Sequence, residues 1–388
     1  MELNYALNIV ENICFAYLGF SVVYLFIFAF FSRFRRGDQY PPVTRINRIL
    51  VLFPAYKEDR VIESSLQSFL NQKYPKEKYQ VVVISDQMKE ETIKRISEFS
   101  RVLKVDFENS SKAKALNFAM ACLKDERYEI VVILDADNTV ETDFLDQINR
   151  AYQSGAMAIQ AHRQGKNFNT DVAVLDAVSE EMNNSYFRKG HVFLGLSSAL
   201  SGSGMAFDYD WFKENIKKVT SAGEDKEIEI LLLRQRIYIE YLQDVAVYDE
   251  KVQNSAAFYK QRQRWLAAQY DSLKTAIRDL PYALYTRNID YTDKLLQWIM
   301  FPRLLLLGFI FVSSVIISFI NMESALKWWG LLFLLLLTFG LAIPKNLDNK
   351  ALERAVSKIP LLFILMFINL FRLKGANKKF IHTSHGES

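Results

Sequence analysis

The stretch Leu134-Asp135-Ala136-Asp137 follows the apolar run Ile130-Val131-Val132-Ile133, so two carboxylates two positions apart leave the end of a buried strand. Hard oxygen donors in that place suit Mg²⁺ or Mn²⁺, which accept one or two carboxylates and complete their shell with phosphate oxygens. The blander account is a strand-end turn in which Asp caps the next element. A second acidic pair, Glu224-Asp225, follows Gly223 and opens an apolar-periodic helix. There it either complements the helix dipole or supplies a general base for an attacking hydroxyl. Further along, the segment from Tyr259 to Tyr270 carries Gln261, Arg262, Arg264 and Trp265 on what reads as a helix. Guanidinium groups that clamp phosphate and an indole that receives a sugar ring fit this spacing, and so does a snorkelling surface helix ahead of a membrane segment.

These groups need a scaffold that brings them together. Between residues 49 and 163, apolar runs alternate with amphipathic stretches. Ile49–Phe53, Gln80–Ser85, Leu103–Phe107, Ile130–Leu134 and Met157–Gln160 read as strands, and Glu58–Asn71, Lys89–Phe99, Lys112–Leu123 and Asp143–Tyr152 as helices. Strands rich in Val and Ile without polar alternation imply a sheet covered on both faces, the doubly wound α/β pattern, whose ligands sit at the carboxyl ends of strands. The residues at those ends are Pro54-Ala55-Tyr56-Lys57-Glu58, Asp86, the Asn109-Ser110-Ser111-Lys112 turn, and Asp135 with Asp137. Neither the dinucleotide fingerprint nor the P-loop motif is present to account for such a rim. No Ser/His/Asp or Cys/His arrangement suggests a covalent intermediate either.

Composition sets the surroundings. Hydrophobic residues make up 50% of the 388-residue chain and aromatics 14%, as expected when a water-soluble domain and a membrane part share one polypeptide. The net charge is only +4 and the basic residues are scattered, which argues against nucleic acid as a partner. Cys14 and Cys122 provide neither a disulfide framework nor metal-ligand spacing, consistent with a reducing compartment. Ile13–Phe31 is uncharged and long enough to cross a bilayer core of about 30 Å, and Leu304–Ile320 and Trp328–Ile343 are two shorter candidate spans. Arg33, Arg35 and Arg36 just after the first span keep that end in the cytoplasm, so the soluble part is expected there, beneath the plasma (inner) membrane. The last apolar run, Ile359–Phe371, is too short for a comfortable crossing and reads as an interfacial or re-entrant helix. The expected division is an N-terminal anchor over residues 1–36, a cytosolic domain over 37–275, and interfacial and transmembrane helices with a cytosolic tail over 276–388.

Taken together, P-A-Y-K-E, S-D, K-A-K-A-L-N, D-A-D, G-S-G, E-D and Q-R-Q-R-W occur in the order and at roughly the spacing of the membrane-bound inverting glycosyltransferases of family two. The chain resembles the cellulose, chitin, hyaluronan and poly-N-acetylglucosamine synthases of that family over about residues 49–265, plus a membrane part. The resemblance implies a GT-A-type mixed sheet with helices on both faces, one transmembrane helix before it and two after it. It implies a UDP-sugar donor, bound by Pro54, Ala55, Tyr56, Glu58, Asp86 and Lys112 with Asp135, and by Gln261, Arg264 and Arg262 at the diphosphate. Asp135 and Asp137 are then the ligands of Mg²⁺ or Mn²⁺, and Asp225 is the catalytic base. Gly202, Ser203, Gly204, Glu224 and Trp265 face the acceptor, and the Phe380–His385 segment resembles a gating tail.

The chain also departs from the family pattern. Lys57 stands where Asn is commoner, and Gln87-Met88 replaces a hydroxyl-rich follow-up to Asp86. Three spans are fewer than in synthases that thread their own polymer, so a secreted product would need a homo-oligomer or a secretion partner to complete a channel. The leading expectation is extension of a β-linked glycan. Transfer of one sugar to a membrane lipid is the alternative, and a catalytically silent nucleotide-binding subunit is the third.

Overall fold

Side-chain alternation builds the sheet. Along β1 (Ile49–Tyr56), Leu50 and Leu52 join one core while Ile49, Val51 and Phe53 join another, and all five are completely buried. Period-two burial on both sides requires a layer of helices on each face. A computed structural model of the chain describes residues 2–34, 40–43, 45–221, 223–344 and 349–372. One of those helical layers is formed by Ile62–Phe69 and Phe144–Gln153, and the other includes Lys112–Cys122 and Glu224–Arg234.

Among the described residues eight strands form one mixed sheet. Parallel to β1 run β2 (Tyr79–Asp86) on one side and β4 (Ile130–Ile133) on the other, and β3 (Arg101–Val105) lies parallel to β2 at the edge. The remaining strands are β5 (Thr139–Val140), β6 (Ala158–Gly165), β7 (Met205–Asp208) and β8 (Ile239–Asp249), and the sheet order is β3-β2-β1-β4-β7-β6-β8-β5. The β7 strand is antiparallel to both β4 and β6 and so separates two parallel blocks. Register fixes the rim: Tyr56 pairs with Asp86, and Leu52 pairs with Ile133, so β1, β2 and β4 end side by side.

The sequence reading reached the first, parallel block and missed most of the second. It placed β3 two residues too late. Arg101 and Lys104 in fact belong to that edge strand, where they pair with Glu126 and Glu90, and charged side chains are characteristic of strand edges. It stopped β6 at Gln160 and gave no strand for β7 or β8. The polar interruptions of β8 are explained by its position next to the two-residue β5 and by a register shift opposite Ala161 and His162.

Around the sheet domain, α1 (Glu2–Phe31) precedes it, while α6 (Asp171–Asn183) continues into a π-helical turn at Asn184–Gly190. Between α1 and α6, in chain order, α2 (Ile62–Phe69), α3 (Glu90–Ile96), α4 (Lys112–Cys122) and α5 (Phe144–Gln153) belong to the sheet domain. After α6 come α7 (Glu224–Arg234), α8 (Ser255–Ala276), α9 (Ile289–Ile299), α10 (Arg303–Ile320), α11 (Met322–Ala342) and α12 (Ile359–Leu370).

Among the described residues three stretches, Asn8–Phe31, Arg303–Ile320 and Met322–Ala342, are long and apolar enough to cross a membrane. The 12 residues of α12 reach only about 18 Å at 1.5 Å per residue, short of a bilayer core. This helix packs close to α10, where a Cβ on Gly308 would lie 2.1 Å from the Phe363 ring, and Asn369 Nδ2 ties it to α8 by donating to the Tyr259 carbonyl at 3.1 Å. Arg35, Arg36 and the Phe380–His385 segment lie outside the described residues.

Candidate active site

Each rim residue is placed by a local device. Ser111 caps α4, its Oγ accepting from Lys114 N at 3.2 Å, which puts Lys112 at the first helical position. From there Lys112 Nζ donates to Asp135 Oδ1 and, at 2.6 Å, to the Gly202 carbonyl, and it lies 3.7 Å from Glu224 Oε1. Burial alone would lower the pKa of this amine, but Asp135 and Glu224 overcome burial and raise it, so Lys112 is a fixed cation. Asp135 is held through its backbone N–H, which donates to Asn138 Oδ1 at 2.9 Å and to Ser203 Oγ at 3.0 Å. Asp137 is buried, its carboxylate accepting from Glu250 N at 2.8 Å and from Asn138 Nδ2 at 3.2 Å.

At the ends of β1 and β2, Lys57 and Gln87 adopt φ of +58° and +54°. Bulky residues seldom adopt that left-handed backbone, whereas Asn tolerates it. These are the two positions where the chain departs from the family pattern. The bend at Lys57 is closed by its N–H donating to the Asp86 carbonyl at 3.1 Å, and Asp86 Oδ1 accepts from Phe107 N at 3.3 Å.

The small-residue loop divides its work. Gly202 has φ of +82°, and a Cβ there would sit 3.7 Å from Glu224 Oε1 and 3.9 Å from Asp225 Oδ2, so the glycine leaves room beside both carboxylates. Gly204, at φ +64°, would bring a Cβ within 2.9 Å of Val247 on β8. Ser203 and Gly204 support the loop from behind and do not line the cavity.

Glu224 and Asp225 open α7, where Asp225 Oδ1 accepts from Lys226 N at 2.9 Å. Burial drives the Glu224 pKa up to about 7 despite the nearby Lys112. Arg264, on α8, is pulled below its ordinary value by burial, which the surrounding carboxylates Glu224, Asp135 and Asp225 only partly offset. On the same helix Gln261 Oε1 is buried with no hydrogen-bond partner among the described residues. Arg262 forms an ion pair with Asp176 of α6 and lies between two rings, its Cζ 4.8 Å from the Phe258 centroid and 4.4 Å from that of Trp265. Its guanidinium thus braces the indole.

One cavity of about 740 Å³ is lined by Pro54, Ala55, Tyr56, Glu58, Asp86 and Lys112 from the strand ends, by Asp135, Asp137 and Gly202, by Glu224 and Asp225, and by Gln261, Arg262, Arg264 and Trp265. Asp137, Asp225 and Arg264, far apart in sequence, therefore face one space. The family model described as "Glycosyltransferase like family 2" matches residues 47–268, more than half of the chain. The chain belongs to that family.

A probable glycosyltransferase of Bacillus subtilis (strain 168), YdaM, is 33% identical to this chain over 104 residues, 24% of each chain. A dolichyl N-acetyl-α-D-glucosaminyl phosphate 3-β-D-2,3-diacetamido-2,3-dideoxy-β-D-glucuronosyltransferase of Methanococcus voltae is 27% identical over 113 residues, covering 28% of this chain and 35% of that one. The matched part thus spans about a quarter to a third of the length of these curated relatives. Among solved structures, the mannosyltransferase PcManGT of Pyrobaculum calidifontis, in complex with GDP-Man and Mn²⁺, superposes with a TM-score of 0.56 at 18% identity, covering 93% of this chain and 98% of that one. That likeness shows a shared fold over 93% of this chain.

Among the described residues no group of three or more His, Cys, Asp or Glu forms a metal cage. Two rim carboxylates still fit a Mg²⁺ or Mn²⁺ that draws its other ligands from a diphosphate and water, which is how these ions are held beside nucleotide phosphates. Sequence reasoning overlooked the buried charges behind this rim. Arg163 of β6 donates to the Ser201 carbonyl at 2.8 Å and pairs with Asp249 at 2.6 Å, and Arg188 pairs with Glu180 at 2.8 Å. Burial works against the Arg163 charge, but Asp249, Glu180, Asp135 and Asp137 together raise its pKa. The one signal available was a charged residue at an inward strand position, and its partner 86 residues away gave no local pattern.

Proposed function

We propose that the chain transfers a sugar, with inversion, from a nucleoside-diphosphate sugar to the hydroxyl of an acceptor presented at the cytosolic face of the membrane. The observation that carries this reading is the convergence of Asp137, Asp225 and Arg264 with Lys112 on one cavity. The acceptor oxygen attacks the anomeric carbon, the bond from that carbon to the diphosphate oxygen breaks, and the hydroxyl proton passes to Asp225. Lys112 and Arg264 stabilise the charge that collects on the departing diphosphate, and Gln261 offers a buried acceptor to a sugar hydroxyl. Asp135 and Asp137 hold Mg²⁺ or Mn²⁺, which when bound adds positive charge beside the diphosphate. Trp265, braced by Arg262, provides the surface for an acceptor ring.

The sequence points to UDP as the carrier and to a growing β-linked glycan as the acceptor. Transfer to a lipid-borne acceptor is favoured by one observation: the cavity continues past Trp298 and Phe301 between the apolar helices. Purified protein incubated with labelled UDP- and GDP-sugars, with Mn²⁺ and Mg²⁺ compared, tests the proposal. A labelled product that is lipid-soluble or forms a size ladder supports transfer, whereas nucleotide binding without any transfer supports the silent-subunit reading.

A further inference from the structure

The cavity has two dissimilar ends. At the rim it is lined by carboxylates and cations, and at the other end by Leu307 of α10, Leu336 and Phe339 of α11, and Leu362 and Met366 of α12. Between the two lies a belt of buried charge. Asp176, Ser179 and Glu180 share one face of α6 at i, i+3 and i+4, and face Arg262, Arg188 and Arg303. Arg262 pairs with Asp176 and Arg188 with Glu180, so each of these arginines has its own carboxylate.

Arg303 differs. Its Nη2 donates only to the Ser179 carbonyl at 2.9 Å and to the Ser179 hydroxyl at 3.1 Å. Its Nη1 is buried and meets no geometric hydrogen-bond partner, its Cζ lies 5.3 Å from the ring centroid of Tyr186, whose hydroxyl is likewise unpaired, and no carboxylate lies within ion-pair distance among the described residues. An unsatisfied guanidinium donor shut away from water is costly, and an anion resolves it. Arg303 is also the first residue of the 18-residue α10, so the helix dipole favours negative charge at the same place. Leu307, one turn on, shares its face of α10 and begins the apolar end.

We propose that Arg303 seats the phosphate of an amphiphilic acceptor, a lipid phosphate whose apolar chain lies against Leu307, Phe339 and Leu362 and whose attacking hydroxyl extends toward Asp225. This deepens the proposed function and rests on it. Charge complementarity selects the head and the contiguous apolar wall selects the tail. A free glycan supplies neither the anion nor the chain.

Saturation binding of radiolabelled farnesyl phosphate to the full chain in neutral detergent tests the proposal, with farnesol and inorganic phosphate as competitors. Each competitor is expected to be weaker than unlabelled farnesyl phosphate by about tenfold or more. Arg303→Gln and Leu307→Trp should each weaken farnesyl phosphate binding by a similar factor while leaving nucleoside-diphosphate binding at the wild-type level. Arg303→Lys, which keeps a charge and a stem, should retain binding and serves as the comparison should the Gln variant fold poorly. Equal competition by farnesol would remove the phosphate seat, equal competition by inorganic phosphate would remove the lipid tail, and wild-type binding in Arg303→Gln would remove Arg303 itself. Farnesyl phosphate binding by a chain that binds no nucleotide and transfers no sugar would instead overturn the proposed function and leave the lipid site standing.

Discussion

Glu224→Gln is the perturbation that most directly reads the electrostatics of the rim. Burial holds the Glu224 carboxyl at about 7, 3.7 Å from Lys112 and close to Arg264. Such a group is about one-tenth ionised at pH 6 and about nine-tenths ionised at pH 8. When ionised it competes with the nucleotide diphosphate for Lys112 and Arg264, so the nucleotide binds the protonated form better. In the limit of exclusive binding to that form, linkage weakens the apparent Kd by about tenfold between pH 6 and pH 8. Glutamine keeps the shape and removes the titration, so the variant should lose that slope. Calorimetric titration of UDP and GDP at the two pH values provides the assay, and the ratio of wild type to variant cancels the titration of the nucleotide's own phosphate. Stability gives an independent check of sign. The folded value lies above the ordinary 4.5, so the stabilising contribution of the protonated carboxyl is complete below about pH 4.5 and is lost as pH rises toward 7. Wild type should therefore lose Tm relative to Glu224→Gln over that window. Identical slopes of Kd with pH in the two proteins would refute the reasoning.

Other substitutions separate the remaining roles. Asp137→Ala should lower transfer on the order of a hundredfold and abolish any tightening of nucleotide binding by Mn²⁺, read by steady-state kinetics and titration. Arg262→Ala strands the buried Asp176 and releases Trp265, so it should cost about 3 kcal/mol in denaturant unfolding and raise the acceptor KM more than the donor KM. Gly202→Ala forces a Cβ onto a backbone at φ +82° beside both acids of α7, and should destabilise by about 1 kcal/mol while impairing acceptor use, measured by calorimetry and initial rates.

The residues legible in sequence were those announced by their immediate neighbours. Asp86 and Asp135 follow Val- and Ile-rich runs, and Lys112 follows a capping serine, so strand ends and a helix start were readable without a partner in view. The support behind them was not readable. Asp176 and Arg262 are 86 positions apart, as are Arg163 and Asp249, and each member alone resembles a solvated surface charge. The second half of the sheet was hidden for a related reason: β8 carries Glu240, Gln243 and Asp244 among its apolar residues, and its identity as a strand depends on pairing with β6. Arg262 shows the limit of reading motifs one residue at a time. Its charge fits a phosphate on paper, whereas in the fold that charge meets Asp176 and its plane braces Trp265.

The central claim is that Asp225 deprotonates an acceptor hydroxyl in a single displacement beside the diphosphate. It is tested most directly by following the anomeric configuration of the product by NMR from an α-linked nucleotide sugar, for wild type and Asp225→Asn side by side. The account predicts a β-linked product from wild type and none from the variant, with nucleotide binding preserved in both. An α-linked product, or a variant that still transfers at the wild-type rate, would contradict it.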